Sequence, residues 1–95
     1  MIDLDRLVHE PARLVILALL SGLDEASFVY LQRESGLTRG NLSSHLSTLE
    51  EAGYITIEKT FRNKIPVTIA RLTNSGRKAL DCYSASVKGM LRWER

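Results

Sequence analysis

The sequence predicts a mainly helical α+β domain, with a three-helix core, a two-stranded β-hairpin and a long C-terminal helix. Two observations carry this prediction. Apolar residues first recur at three- and four-residue intervals in segments that end at glycine, and from Ile55 onward they alternate with polar residues. The helical interval then returns after Thr73. With 95 residues, 44% hydrophobic and 25% charged, the chain has the size and composition of one globular domain.

The first two core helices are delimited by proline, glycine and short polar residues. Pro11 suits the first turn of a helix, because the amide hydrogen that proline lacks has no partner there. Gly22 ends this helix. A second, shorter helix can be capped by Asp24 or by Ser27, and Gly36 ends it in a tight turn. The sequence therefore predicts helices at about residues 11–21 and 28–35.

The third helix and the hairpin follow without a spacer. Thr38 is the predicted N-cap of this helix, and Gly53 ends it. The strand that starts at Ile55 is expected to turn at residues 61–64, where Asn63 is the best candidate for a positive φ because no glycine is present. The apolar residues at helical spacing on this helix are Leu42, Leu46, Leu49 and Ala52, and Val67, Ile69 and Leu72 fit the returning strand.

Two flanking segments, residues 1–10 and 73–95, enclose the core of residues 11–72. A short leading helix is expected in the first segment, and Thr73 can cap a last helix that runs to about Trp93. This last helix carries an apolar stripe at 3-4-3 spacing, similar to a coiled-coil seam. The stripe consists of Leu80, Tyr83, Val87, Met90 and Leu91.

The functional signal lies in residues 28–64. A short helix, a tight turn, a capped helix and a basic hairpin follow one another, which is the order of a winged helix-turn-helix. In that fold the second helix of the pair enters the major groove of DNA. The face opposite Leu42 is made mostly of small, polar side chains, which allow close approach to bases and phosphates. The candidate contacts on this helix, residues 38–52, are Thr38, Arg39, Asn41, Ser43, Ser44 and Ser47.

The chemistry of these side chains suits DNA. Arg39 can bond to guanine, and Asn41 can bond to adenine or to a phosphate. Thr38 can bond a phosphate together with the free backbone amides of the helix start. Glu50 and Glu51 are expected at the far end of the helix, away from this entry point. The alternative is that the serine-rich face is ordinary solvated surface.

The hairpin is the predicted wing, residues 59–66. Lys59, Arg62 and Lys64 fall within six residues with no acid between them, and Asn63 lies at the tip. Such cations can reach phosphates or an adjacent minor groove. The alternative is that they only protect a strand edge from pairing. The net charge is uneven along the chain, −3 over residues 1–27 and +4 over residues 67–95.

Three runs of the sequence resemble winged-helix transcriptional regulators of the MarR/ArsR type. They are residues 28–55 (FVYLQRESGLTRGNLSSHLSTLEEAGYI), 72–80 (LTNSGRKAL) and 9–17 (HEPARLVIL). The resemblance implies a small, stand-alone, homodimeric regulator that binds a specific DNA sequence, most often as a repressor. It implies that DNA is contacted by Thr38, Arg39, Asn41, Ser43 and Ser44, and by Arg62 and Lys64 from the wing. Asn63 departs from the family pattern, which often has glycine at the wing tip.

The two flanking segments are expected to form the interface of such a dimer, on double-stranded DNA with a pseudo-palindromic operator whose half-sites lie about one helical turn apart. Two alternatives remain open. The chain could be a winged-helix module that binds a protein, or a sensor that holds an effector in the dimer cleft, although no residue selects an effector. The predicted interface residues are Leu4, Leu7, Leu80, Tyr83, Val87, Met90 and Leu91.

Other classes of function find little support in the sequence. The longest apolar run, residues 14–20, is too short to span a membrane. The single cysteine, Cys82, cannot form an internal disulfide, which favours the cytoplasm, and it is expected as a small buried side chain rather than a redox switch. No metal, cofactor or catalytic pattern is present, so the chain is not expected to be an enzyme. His45 is expected in a structural role more than on a phosphate.

Overall fold

The computed structural model describes residues 6–93 and the side chains of residues 6–89. Leu4 therefore lies outside the described residues, as do the side chains of Met90 and Leu91. In chain order the elements are α1 (Arg6–His9), α2 (Pro11–Ser21), β1 (Ala26–Ser27), α3 (Phe28–Ser35), α4 (Arg39–Glu51), β2 (Ile55–Arg62), β3 (Ile65–Leu72) and α5 (Asn74–Trp93). The predicted α+β winged-helix class is confirmed. Within residues 6–93, no helix is both long and apolar enough to cross a lipid bilayer.

Helices α3 and α4 begin directly after capping residues that the sequence predicted. The amide of Tyr30 donates to the hydroxyl of Ser27 over 3.1 Å, so Ser27 and not Asp24 caps α3. The amide of Asn41 donates to the hydroxyl of Thr38 over 3.2 Å at the start of α4. Gly36 follows α3 with a φ of 74°, a left-handed conformation that favours glycine. The tight turn between α3 and α4 is therefore built into the local sequence.

The core lies between α2, α3, α4 and the base of the sheet. The apolar stripe of each helix turns inward, and the three leucines of the α4 stripe are buried, whereas Ala52, at the C-cap of α4, is exposed. Burial of these side chains is the main stabilising term for a domain of this size. The buried apolar residues of this cluster are Val8, Ile16, Leu17, Leu20, Ala26, Leu31, Leu42, Leu46, Leu49, Ile55, Ala70 and Leu80.

The sheet has one strand more than the sequence predicted. The two-residue strand β1 pairs antiparallel with β3, so the strand order is β1-β3-β2. Two residues are too short to show an alternating pattern, which is why β1 was missed. Ala26 lies opposite Ala70 in this pairing. The hairpin is thereby tied to the segment that leads into α3.

The turn of the hairpin is tighter than predicted. Strand β2 continues through Arg62, which is paired with Ile65, so only Asn63 and Lys64 form the connection. Asn63 has the predicted positive φ of 54°, and Lys64 also has a positive φ, 66°. Two consecutive left-handed residues match the twist of the flanking strands and hold a two-residue loop.

Helix α5 begins where the chain packs against the junction between α4 and β2. The hydroxyl of Thr73 accepts from the amide of Gly76 over 3.0 Å, which confirms Thr73 as the N-cap. One expectation for this helix is wrong, because Cys82 is exposed. Cys82 lies next to exposed Asp81 on a face that turns away from Leu80 and Tyr83.

Candidate nucleic-acid interface

Helix α4 presents its polar face to solvent because its opposite face is pinned in the core. Leu42 and Leu49 are fully buried, and Leu46 is nearly so. These positions repeat every three or four residues, so the residues between them point outward. The candidate DNA contacts on α4 and at its start are all exposed: Thr38, Arg39, Asn41, Ser43, Ser44 and Ser47.

Arg39 is positioned by an aromatic ring of the preceding helix. Its guanidinium carbon lies 6.0 Å from the centre of the Phe28 ring on α3. A cation at this distance is attracted by the electrons of the ring face. The contact places the charge of Arg39 over the joint between α3 and α4, at the edge of the exposed helix face.

A groove of about 600 Å³ separates α4 from the hairpin. Its walls carry two of the predicted DNA-contacting cations, Arg39 from α4 and Lys59 from β2. The remaining walls are mixed, with the α4 serines Ser43 and Ser47 on one side, the β3 residues Ile65, Pro66, Val67 and Thr68 on the other, and Ser27, Phe28, Val29 and Gln32 from α3 and its N-cap between them. The structure therefore brings the predicted recognition helix and the predicted wing to one concave surface.

Glu50 also lines this groove, which corrects one expectation. The sequence placed both acids at the end of α4, away from the contact face. Residue 50 lies three positions after Ser47, however, so the two share one side of the helix. Glu51 is exposed but is not part of the groove. A carboxylate thus faces the same space as Arg39 and Lys59.

The wing cations are not equally free. Lys59 and Lys64 are exposed, and Asn63 lies between the strands at the tip. Arg62, in contrast, donates from its guanidinium to the carboxylate of Glu25 in the segment before β1. Its side chain remains 55% exposed, so the pair lies at the surface.

Glu25 and Arg62 belong to a chain of four alternating charges. The second oxygen of Glu25 lies 2.8 Å from the guanidinium of Arg71, which also lies 2.7 Å from the carboxylate of Glu58. The bond from Arg62, followed by that from Arg71, holds the pKa of Glu25 below its ordinary value. Glu58 and then Glu25 raise the pKa of Arg71. Strand alternation alone puts Glu58 and Arg71 on one face of the sheet. The position of Glu25 beside them follows only from the pairing of β1 with β3.

His45 has the structural role expected of it. Its Nε2 lies 3.4 Å from Oε2 of Glu10, between α1 and α2. The other oxygen of Glu10 accepts from the amide of Ala12 over 3.1 Å and caps α2. That backbone bond lowers the pKa of Glu10, with smaller contributions from His45 and from Arg13, which lies 3.6 Å away. Helix α4 is thus linked to the start of α2.

The residues predicted for a dimer interface have different places in the protomer. Leu80 is only 9% exposed and belongs to the core of its own chain. Tyr83 packs against that core, and its hydroxyl lies 2.9 Å from Nδ1 of His9. Leu7 and Val87 are half-buried. The first part of the apolar stripe of α5 therefore packs against the core of its own protomer.

Comparison with known proteins supports the same fold. The chain is 40% identical over 78 residues to an uncharacterized protein of Methanocaldococcus jannaschii, a match that covers 82% of this chain and 85% of the relative. It superposes with a TM-score of 0.87 on a transcriptional regulator homologue from Pyrococcus horikoshii, at 28% identity, covering 93% of this chain and 87% of that one. PadR from Bacillus subtilis, solved with operator DNA, gives a TM-score of 0.68 at 22% identity, with coverage of 76% and 45%.

The sequence profile of the winged helix DNA-binding domain matches residues 12–91, from the start of α2 to near the end of α5. This range includes the exposed face of α4, the hairpin and the groove between them. The resemblance noted in the sequence is thereby confirmed, and the family is one of regulators rather than enzymes. The chain belongs to the winged helix DNA-binding domain family of transcriptional regulators.

Proposed function

We propose that the protein is a sequence-specific regulator of transcription that binds double-stranded DNA as a homodimer, with α4 in the major groove and the wing, residues 59–66, on the flanking backbone or minor groove. Repression is the simplest outcome, because a bound dimer occupies the duplex. The observation that carries the proposal is that Arg39, Ser43 and Ser47 of α4 and Lys59 of the wing line one groove.

The geometry of the duplex explains why this groove matters. One sugar–phosphate strand separates each major groove from the adjacent minor groove. A protein with a helix in the first and a hairpin in the second must straddle that strand. The groove between α4 and the hairpin provides the space, with Arg39 and Lys59 to neutralise phosphates and Ser43 and Ser47 as small hydrogen-bonding neighbours.

The backbone of α4 adds to this site. Thr38 satisfies only the amide of Asn41, so the other amides of the first turn point outward at an exposed helix end. These amides and the helix dipole favour an anion. PadR, which shares this fold and was solved in complex with operator DNA, supports double-stranded DNA as the ligand.

The test compares two cationic side chains, one predicted to contact a base and the other a phosphate. Duplexes would be selected from a random pool at low salt, and their affinity would then be measured against salt concentration. Arg39→Ala should relax the preference at one or two base pairs, because a bidentate contact contributes about 1–3 kcal/mol of discrimination. Lys64→Ala should weaken binding to all duplexes and reduce the salt slope by about one.

Matched variants separate these effects from a general change of charge. Lys88→Ala removes an exposed cation of α5 and should leave both base preference and affinity unchanged. Glu50→Gln removes the carboxylate from the groove and should strengthen binding to every duplex, whereas its neighbour Glu51→Gln should not. The proposal fails if the folded wild-type protein selects no duplex at low salt.

A further inference from the structure

The tip of the wing exposes large apolar side chains. Phe61 is 69% exposed and Ile65 is 64% exposed, and Pro66 next to Ile65 is also exposed. A hairpin that only carried phosphate-binding cations would have no use for an exposed phenyl ring. Burial of such a ring in a complex removes a large apolar surface from water.

The hairpin holds these side chains in fixed positions. Phe61 lies directly opposite Pro66, and Arg62 directly opposite Ile65. Because directly paired residues share a face of the sheet, Phe61 and Pro66 form one apolar pair next to the turn. The two left-handed residues at positions 63 and 64 keep that turn short. The pair therefore projects on a rigid support rather than on a mobile loop.

The surroundings of the pair indicate a nucleic-acid partner more than a protein one. Exposed Lys59 and Lys64 flank it, and lysine is depleted at the centre of protein–protein interfaces. Minor-groove binding proteins combine basic residues with apolar wedges such as phenylalanine and proline. Pro66 also lines the groove that Arg39 of α4 shares, so the apolar tip is continuous with the candidate DNA surface.

We propose that Phe61, supported by Pro66, enters the minor groove beside each half-site and packs against deoxyribose and base edges. The inference rests on the proposed DNA-binding function and adds a specificity-determining contact to it. A rigid ring in a narrow groove favours base steps that open easily, such as pyrimidine–purine steps. The wing thus reads the flank of the operator by shape, with no hydrogen bond to a base.

The experiment uses Phe61→Ala and Phe61→Leu on the selected duplex. Phe61→Ala should bind roughly tenfold more weakly, as expected for the loss of a partly buried apolar side chain. The salt slope should stay unchanged, in contrast to Lys64→Ala. Hydroxyl-radical cleavage, which attacks deoxyribose from the minor groove, should lose its protected positions at the flank, and Phe61→Leu should keep most of the protection.

The control is Leu23→Ala, which truncates an apolar side chain that is 38% exposed and lies outside the wing. It should leave affinity and footprint unchanged, and circular dichroism should show the Phe61 variants folded because Phe61 packs little in the free protein. The inference is overturned, with the proposed function intact, if Phe61→Ala keeps the wild-type affinity and footprint. It is also overturned if Phe61→Ala changes only self-association. If the wild-type protein binds no duplex, both proposals fall together.

Discussion

At Arg62, a candidate DNA contact and an intramolecular ion pair use the same guanidinium. Glu25 holds this side chain toward the base of the sheet, so a phosphate must compete with a carboxylate for it. Because the Arg62 side chain is more than half exposed, water and salt weaken the pair, so it positions Arg62 and contributes only modestly to stability. Lys64 at the tip is therefore expected to be the more direct phosphate ligand of the two.

The lowered pKa of Glu25 predicts how acid affects the folded protein. A carboxyl whose pKa is lower in the folded than in the unfolded chain stabilises the fold at pH values above its ordinary pKa, here 4.5. This contribution is lost as the pH falls through the lowered pKa. Urea unfolding of wild type and Glu25→Gln, from neutral pH to well below 4.5, should therefore show a shallower acid loss of stability in the variant.

Some acid sensitivity should remain in Glu25→Gln, because the pKa of Glu10 is also lowered, chiefly by the amide of Ala12. Glu51→Gln is the control, since Glu51 is exposed at the end of α4 and should keep the wild-type pH profile. Parallel profiles for Glu25→Gln and wild type would show that the ion pair contributes nothing to the folded state.

At the scale of elements, the end of α4 and the start of α5 are held together by hydrogen bonds. The amide of Thr73 donates to the carbonyl of Tyr54 over 3.0 Å, and its hydroxyl donates to the carbonyl of Gly53 over 2.7 Å. A Cβ at Gly76 would lie 2.1 Å from the Tyr54 oxygen and 2.8 Å from Leu72 Cδ1. The first turn of α5 can approach the α4–β2 junction only because residue 76 has no side chain.

Gly76→Ala should therefore destabilise the protein even though alanine favours helices. The backbone oxygen of Tyr54 cannot move aside as a flexible side chain can, so α5 must shift. We expect a loss of about 1–3 kcal/mol in the free energy of unfolding, typical of overpacked sites, measured by urea denaturation. Gly89→Ala is the matched control, since its Cβ meets no atom within 4 Å and should stabilise α5 by up to about 1 kcal/mol. Equal stabilisation by both substitutions would show that the close packing of α5 on the α4–β2 junction does not require glycine at position 76.

The elements follow from the sequence where a local rule decides them. Ser27, Thr38 and Thr73 cap helices because a hydroxyl satisfies a free amide whatever the rest of the fold does. The strand β1, the Glu25–Arg62 pair and the position of Glu50 in the groove depend on segments that meet only after folding. Cys82 was expected to be buried, but the apolar stripe of α5 is narrower than the spacing of its residues implied, and Cys82 lies outside it. The face of α4 was predictable, whereas its connection to an apolar wing tip was not.

At the scale of the whole molecule, the shape is extended. The principal extents are 55 × 25 × 21 Å and the radius of gyration is 14.5 Å, against about 12 Å for a compact chain of this length. A helix of 20 residues such as α5 is about 30 Å long, and the hairpin adds a second projection. Two projecting elements leave much surface uncovered in a single protomer, which favours association.

The apolar stripe of α5 indicates where association is expected. Leu80 is already buried against its own core, so it contributes to a dimer only by holding the helix in place. Val87, two turns further along, is still half-exposed. In a two-fold symmetric dimer the same patch must serve on both chains, and the half-buried side of α5 is suited to this.

A change at Val87 should therefore affect assembly and DNA binding together. Val87→Arg places a charge at the centre of the predicted interface, and we expect sedimentation equilibrium at micromolar concentration to show monomers instead of dimers. Affinity for the two-half-site operator should fall, while affinity for a single half-site stays the same, because only the linkage between two α4 helices is lost. Lys88→Ala, at the exposed neighbouring position, should remain dimeric. A wild-type protein that is monomeric at this concentration would remove the dimer from the proposed function, and the operator would then need only one half-site.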